Sequence, residues 1–402
     1  MHVTGRTMVI LMAAAQLGSL LPHVAVPAVM PAHLIPEWGL SYSEAGLMAA
    51  SYAAGYMLAV PVLATLTDRI DARLILFWGS LVNGLATVLF GMFASGLASA
   101  ILLWGFAGIG FAGAYMPGLK ALTDRLGSGD ASRSVTLYTS SFSVGVGVSF
   151  LVSQLIAERW GWRPAFLVTG AGPVVMMAVA LLLRPVAPPP RQGALLDFRP
   201  VLRNRAAMGY VLGYGAHCFE LYGMRTWLVA FWGFVAAQAG GATPVDAITV
   251  SFVASLLSLP ASILGNEAAL RFGRHRAITV VMLSSALVAA GIGFTAGFSP
   301  WLSLLLLAIY SFTVPADSGA LTSGVTAAAD PRFRGATLAL HSMVGFGLSA
   351  LGGWAVGVAI DAAGGPDNSR GWLAAFLVMA AGILLGPLAL RWSAAKADAT
   401  RE

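Results

Sequence analysis

The chain has 402 residues, of which 58% are hydrophobic and 10% charged, with a formal net charge of +6 and a mean hydropathy of +0.80. Soluble domains carry roughly 25% charged residues, so the surface of a water-facing globule is missing. A cytosolic enzyme, a disordered scaffold and a secreted disulfide module are excluded. Of the 23 basic residues only Lys120 and Lys396 are lysines, and they stand with the arginines mostly in loops between apolar stretches. The basic balance therefore reads as membrane topology, and no nucleic-acid partner is expected. Cys218 is the single cysteine, so no internal disulfide forms.

A bilayer core of ~30 Å takes about 20 apolar residues per helix. Twelve such stretches follow one another, near 8–32, 43–66, 74–95, 97–119, 134–157, 164–184, 206–234, 245–268, 276–297, 300–328, 335–360 and 371–391. They are predicted as helices, because lipid tolerates no unpaired backbone polar group. Arg6 and the apolar run through Ala13-Ala14-Ala15 mimic a signal peptide, but the run continues well past that point and no cleavage is expected. The longest polar interruption opens Pro185-Val-Ala-Pro-Pro-Pro-Arg-Gln-Gly; its prolines remove donors and favour extended backbone, so it reads as a linker. The predicted organisation is an all-α membrane protein with a six-helix bundle over 1–184, a cytoplasmic linker over 185–204 and a second six-helix bundle over 205–402.

Counting Lys and Arg by loop parity puts 19 at the amino terminus, the even-numbered loops and the tail, against Arg159, Arg163 and Arg370 on the opposite side. Arg225 alone lies inside a helix. The positive-inside rule then places both termini in the cytoplasm. Alanine richness and the excess of Arg over Lys suggest a GC-rich bacterium, hence its inner membrane.

The two halves repeat each other. Arg69 follows helix 2 and Arg271 follows helix 8, an offset of 202. Arg133-Ser-Val-Thr-Leu and Arg334-Gly-Ala-Thr-Leu match at 201, and Gly161-Trp162-Arg-Pro-Ala-Phe-Leu-Val and Gly371-Trp372-Leu-Ala-Ala-Phe-Leu-Val at 210. Two parallel repeats are an architecture in which a central site lies between halves that rock against each other. The loop after helix 2, Ala64-Thr-Leu-Thr-Asp68-Arg69-Ile-Asp71-Ala72-Arg73, is similar to the Gly-x-x-x-Asp-Arg-x-Gly-Arg-Arg/Lys signature of the major facilitator superfamily of secondary transporters. It keeps the Asp-Arg pair and the last basic residue, and departs at both glycines and the first late arginine. The second copy keeps Arg271, Gly273 and Arg274, with Leu270 in the acid's place. The chain resembles that superfamily over essentially its whole length. The resemblance implies two pseudo-symmetric six-helix bundles, alternating access, a path lined by helices 1, 4, 7 and 10, and a gating loop formed by Asp68, Arg69, Arg73, Arg271 and Arg274. Trp104 replaces the arginine of the helix 4 motif of proton-coupled members, and Ser143-Val-Gly145-Val-Gly147 lacks the proline of the antiporter motif, which argues against drug/proton efflux.

Ionisable side chains in a membrane helix line a cavity or pair with one another. The candidates are His23, His217, Glu220, Arg225, Asp317 and His341. Tyr210, Tyr214 and His217 follow one stripe of helix 7, and Glu220 stands three beyond His217. Glu220 and Arg225 are five apart, about 140° around the helix, so no direct bridge is expected between them. His217 and Asp317 each lie about 11 residues from the cytoplasmic end, so they are expected to meet across the cavity. Glu220 and Asp317 are therefore the proton-coupling candidates, and Arg225, His217, Tyr214, Tyr115, His23 and Tyr56 the substrate-binding ones. Competing readings stand beside these: a structural ion pair for Arg225, capping of the break after Pro315 for Asp317, kink filling for His23 between Pro22 and Pro27, packing for His341, and ordinary interhelical bonding for the tyrosines. Trp227 and Trp232 read as an interfacial belt.

No Gly-rich Lys-Ser/Thr loop is present for nucleotide phosphates, no nucleophile–base pair for catalysis, and no ligand spacing for a metal. The expectation is a monomeric, cofactor-free symporter in the bilayer that carries a small anionic or zwitterionic solute with protons. An exporter of drugs or metabolites is the alternative of the same fold, and a non-transporting membrane receptor or assembly factor the alternative of another class.

Overall fold

The computed structural model describes residues 5–126, 131–188 and 198–399, and every regular element among them is helical. In chain order the first helices are α1 (Gly5–Ser19), α2 (Ala25–Val29), α3 (Ile35–Trp38), α4 (Tyr42–Leu66), α5 (Ala72–Phe93) and α6 (Leu97–Thr123). There follow α7 (Ala131–Trp160), α8 (Trp162–Ala171), α9 (Pro173–Leu182), the short α10 (Arg199–Arg203), α11 (Arg205–Gln238) and α12 (Ala247–Phe272). The last are α13 (Arg274–Thr295), α14 (Pro300–Thr313), α15 (Ser318–Ala328), α16 (Arg334–Ala362) and α17 (Ser369–Ala399).

Ten helical stretches among the described residues are long and apolar enough to cross a membrane, taking α8 with α9 and α14 with α15 as single stretches. The two of the twelve expected stretches outside this set differ for physical reasons. The first is interrupted after Ser19, where Pro22 precludes a continuous hydrogen-bond ladder. The other, α11, carries His217, Glu220 and Arg225 together with five glycines along its 34 residues. Part of the linker expected over 185–204 falls outside the described residues; its end is the helical turn α10.

The chain divides into two compact units, Met1–Leu34 with Ser51–Leu196, and Ile35–Ala50 with Asp197–Glu402. The segment 35–50 thus groups with the second unit, although the sequence repeat places it in the first half. In the first unit α5 and α6 pack closely because Gly79 faces the Gly113 backbone, with no space for a side chain between them. The break between α1 and α2 is repaired from α7: Ser149 Oγ donates to Leu21 O at 2.6 Å and accepts from Val24 N at 3.3 Å. That repair fixes the turn carrying His23. In the second unit Pro315 interrupts the helical ladder between α14 and α15, and Val314–Asp317 forms a single 3-10 turn.

Trp227 and Trp232 do not form an interfacial belt. Both are buried, with Trp227 Nε1 donating to Gly353 O at 2.7 Å and Trp232 Nε1 to Val245 O at 3.0 Å. An indole whose N–H finds a carbonyl partner inside the protein has no need of the lipid headgroup region.

Candidate functional site

The residues singled out in the sequence fall into two clusters, one in each unit. In the first unit His23 is buried, with Tyr52, Phe111 and Phe142 at ring-centroid distances of 5.4, 5.0 and 5.2 Å. Tyr56 is buried 5.7 Å from Phe111, and half-buried Tyr115 stacks on the same ring at 5.8 Å. Tyr138 donates to Gln16 Oε1 at 2.8 Å. His23 therefore sits in an aromatic surround drawn from α4, α6 and α7, a wall suited to apolar or planar groups.

In the second unit α11 supplies a polar ladder. His217 Nδ1 lies 2.6 Å from Asp317 Oδ1, both side chains being buried. The contact is close, yet among the described residues neither Asp317 oxygen accepts a well-directed hydrogen bond. Tyr214 lies over His341 at 3.9 Å, and its other neighbour on the helix, His217, is 5.6 Å away at 22°. Three residues further along, Glu220 Oε1 accepts from Ser285 Oγ at 2.8 Å and from Tyr310 OH at 3.0 Å, while its buried Oε2 accepts no hydrogen bond from the described residues. Arg225 is 7% exposed, with its guanidinium 5.5 Å from the Tyr222 ring centre.

The placement of Asp317 depends on a close approach. An added Cβ at Gly265 would stand 1.7 Å from Ala316 O, so α12 lies backbone-to-backbone against the 3-10 turn. Only glycine permits that contact, and the next residue after Ala316 is Asp317.

Ser285 on α13 and Tyr310 on α14 were not among the residues singled out from the sequence. A small hydroxyl in an apolar stretch carries no signal of its own, since its partner lies 65 positions away for Ser285 and 90 for Tyr310. The loop residues also divide. Arg73 Nη1 donates to Leu183 O at 3.0 Å in the first unit, near Asp68 and Arg69 in sequence. Arg274 is near enough to Tyr210 in the second to act on it electrostatically, and Arg271 is exposed.

Residues 8–353 match the family model described as Major Facilitator Superfamily. The chain belongs to this superfamily. Curated relatives of this superfamily chain are transporters. The D-galactonate transporter of Escherichia coli O6:H1 is 31% identical over 166 residues, 41% of this chain and 37% of that protein. The 4-hydroxybenzoate transporter PcaK of Acinetobacter baylyi is 25% identical over 162 residues, 40% of this chain and 35% of that one. The probable sulfoacetate transporter SauU of Cupriavidus necator is 30% identical over 135 residues, 34% and 31% of the two chains. The matches thus span about a third of each relative's length.

Solved major facilitator structures agree over nearly the whole chain. A bacterial homolog of the human lysosomal transporter Spinster, inward-facing and occupied, superposes with a TM-score of 0.71 at 18% identity, covering 96% of this chain and 94% of that one. The nucleoside transporter NupG superposes with a TM-score of 0.76 at 13% identity, covering 96% and 99%. Likeness at this identity establishes the fold alone and leaves the solute to the side chains.

Proposed function

We propose that the chain is a proton-coupled carrier of a small organic anion, working by alternating access with twelve spans and both termini in the bacterial cytoplasm. The observation that carries this reading is Arg225, a guanidinium 7% exposed on the same helix as His217 and Glu220. A carboxylate or sulfonate matches the arginine fork in charge and shape, with paired charge-assisted hydrogen bonds. The relatives named for D-galactonate, 4-hydroxybenzoate and sulfoacetate support an organic anion as the cargo.

Coupling follows from charge balance. Asp317 is held against His217, and Glu220 is solvated by two hydroxyl donors on one oxygen. An anion arriving beside these carboxyls is favoured when a proton comes with it, and Glu220 Oε2, which accepts no hydrogen bond from the described residues, is the oxygen that receives it. His217 relays to Asp317. Tyr214 supplies a further polar and aromatic contact to the solute.

The test is uptake into proteoliposomes of radiolabelled D-galactonate, 4-hydroxybenzoate and sulfoacetate under an imposed pH gradient. Accumulation of at least one, collapsed by a protonophore and lowered more than tenfold by Arg225→Gln, is expected. Anion uptake indifferent to the gradient and to Arg225→Gln would overturn the reading.

A further inference from the structure

Four buried polar atoms of the first unit make no hydrogen bond with the described residues: Gln16 Nε2, Ser19 Oγ, Ser80 Oγ and Asn83 Oδ1. All four residues are 0% exposed. Gln16 and Ser19 stand three apart on α1, and Ser80 and Asn83 three apart on α5, so each pair shares one side of its helix. The two sides meet. Asn83 Nδ2 donates to Ser19 O at 3.3 Å. One turn earlier, Gln16 Oε1 accepts from Tyr138 OH at 2.8 Å, and the same hydroxyl flanks Gly118 together with Leu76 of α5. The amide of Gln16 thus lies by the turn of α5 that runs from Leu76 to Ser80.

The internal repeat assigns each residue a counterpart in the second unit. At the offset of 201 that relates Arg133 to Arg334, Gln16 becomes His217 and Ser19 becomes Glu220. At the offset of 202 that relates Arg69 to Arg271, Asn83 becomes Ser285. Packing follows the same offsets. An added Cβ at Gly18 would meet Gly172 O at 2.7 Å, and one at Gly382 would meet the Phe219 ring. Phe219 is Gly18 moved by 201, and Gly382 is Gly172 moved by 210, the offset of the Gly-Trp motifs. In the second unit the long Glu220 side chain reaches Ser285 Oγ at 2.8 Å. In the first, Ser19 stops after one carbon, and Asn83 turns its nitrogen to the α1 backbone.

The chemistry of the four atoms selects an occupant. Gln16 Nε2 only donates, Asn83 Oδ1 only accepts, and the two hydroxyls do both. A hard cation is ligated by oxygens and repelled by an N–H, while an anion finds no charge on any of the four. Water donates and accepts, and a buried water typically makes about three such bonds. We propose that the first unit binds ordered water between α1 and α5, held by Ser19 Oγ and Asn83 Oδ1 with Gln16 Nε2 and Ser80 Oγ beside it, in the place that the Glu220 carboxyl takes in the second. The site does not depend on proton coupling or on the identity of the solute.

The experiment uses the purified full chain in nanodiscs, in an electron cryomicroscopy map fine enough to show ordered water. A peak within hydrogen-bond distance of Ser19 Oγ and Asn83 Oδ1 is expected; water seen elsewhere between the helices and none at this place overturns the proposal. Melting midpoints give a second reading. Ser19→Ala deletes a hydroxyl that bonds no described protein group, and Ser284→Ala, at an exposed serine inside α13, carries the helix-propensity gain alone. With water bound, Ser19→Ala melts about 2 °C below Ser284→Ala. A midpoint equal to or above it marks a dry site, where loss of an unsatisfied hydroxyl is a gain, and overturns the proposal. Ser19→Gln extends toward the position of Glu220 without its charge and displaces the peak; a peak that survives in a folded Ser19→Gln overturns the correspondence with Glu220. Exchange of sodium for choline leaves the wild-type midpoint unchanged, whereas a sodium-dependent midpoint that Ser19→Ala abolishes makes the occupant an ion and overturns the proposal.

Discussion

Asp71 and Arg125 clasp each other in the first unit, with Arg125 Nη2 donating to Asp71 Oδ1 at 2.7 Å and to Oδ2 at 2.9 Å. The same carboxylate accepts from Arg73 N at 3.0 Å, capping α5, and from Val186 N at 2.8 Å. Arg125 Nε in turn donates to Arg184 O at 2.8 Å. One acidic side chain thus ties the start of α5, the end of α6 and the chain leaving α9. Burial pushes its carboxyl up, but the bonds from Arg125, Val186 and Arg73 outweigh that and hold it below the usual value.

A carboxyl whose folded pKa is depressed contributes stability in full above its unfolded pKa, near 3.9, and loses it as the pH falls through the folded value. Asp71→Asn is therefore expected to lower stability at neutral pH by about 1.5 kcal/mol, the low end for hydrogen bonds to charged groups because the carboxyl is partly exposed. The gap from the wild type closes on acidification below pH ~4. Thermal melts from pH 7 to pH 3 check this; a gap that stays constant contradicts it.

Gly265→Ala tests the contact that places Asp317. Its methyl would meet Ala316 O at 1.7 Å, so the 3-10 turn must move, at a cost of about 1–3 kcal/mol for overpacking. Gly291→Ala is the control, because nothing lies within 4 Å of its added Cβ. Gradient-driven uptake is expected to fall at least tenfold in Gly265→Ala and to persist in Gly291→Ala. Equal uptake in the two variants would mean that the turn does not set the position of Asp317 for transport.

Glu220→Gln and Asp317→Asn separate coupling from binding. Each keeps the shape of the side chain and removes its exchangeable proton. Accumulation against a pH gradient is expected to vanish in both, while exchange of labelled for unlabelled solute at equal pH continues. Undiminished accumulation in both variants would remove the carboxyls from the coupling step.

The apolar runs were legible because lipid leaves a helix no alternative, and the two-fold repeat because it is written in matching motifs. The polar ladder was half legible. Helical spacing puts Tyr214, His217 and Glu220 near one another on α11, yet Ser285 and Tyr310 reach Glu220 from other helices, where a single-helix period says nothing. The role of Asp71 escapes the sequence for a related reason: it occupies a glycine position of the family signature and reads as a departure, while in three dimensions it gathers Arg125, Arg73 and Val186. The grouping of 35–50 with the second unit was equally invisible, because the repeat records ancestry and the contacts record packing.

That grouping has its own anchor. The first amides of a helix lack intrahelical acceptors, and those of α4 are satisfied in two ways. Glu44 N donates to Ser41 Oγ at 3.2 Å, and Glu44 Oε2 accepts from Ser41 N at 2.9 Å, a capping box. Tyr42 N and Ser43 N donate instead to Asp361 of α16, at 3.1 and 2.6 Å. Tyr42 stacks on Trp227 at 4.9 Å, and an added Cβ at Gly357 would stand 2.3 Å from Tyr42 O, so α16 and the start of α4 meet along their backbones. Asp361→Asn keeps one carbonyl acceptor and loses the charge facing the α4 dipole, an expected cost of about 0.5–1 kcal/mol. Asp361→Ala strands two amides and should cost about 1–3 kcal/mol. Ser43→Ala spares both amides and should cost least. Melting midpoints falling in that order confirm a cap supplied by a distant helix; if Asp361→Ala melts with the wild type, the capping box alone holds the start of α4.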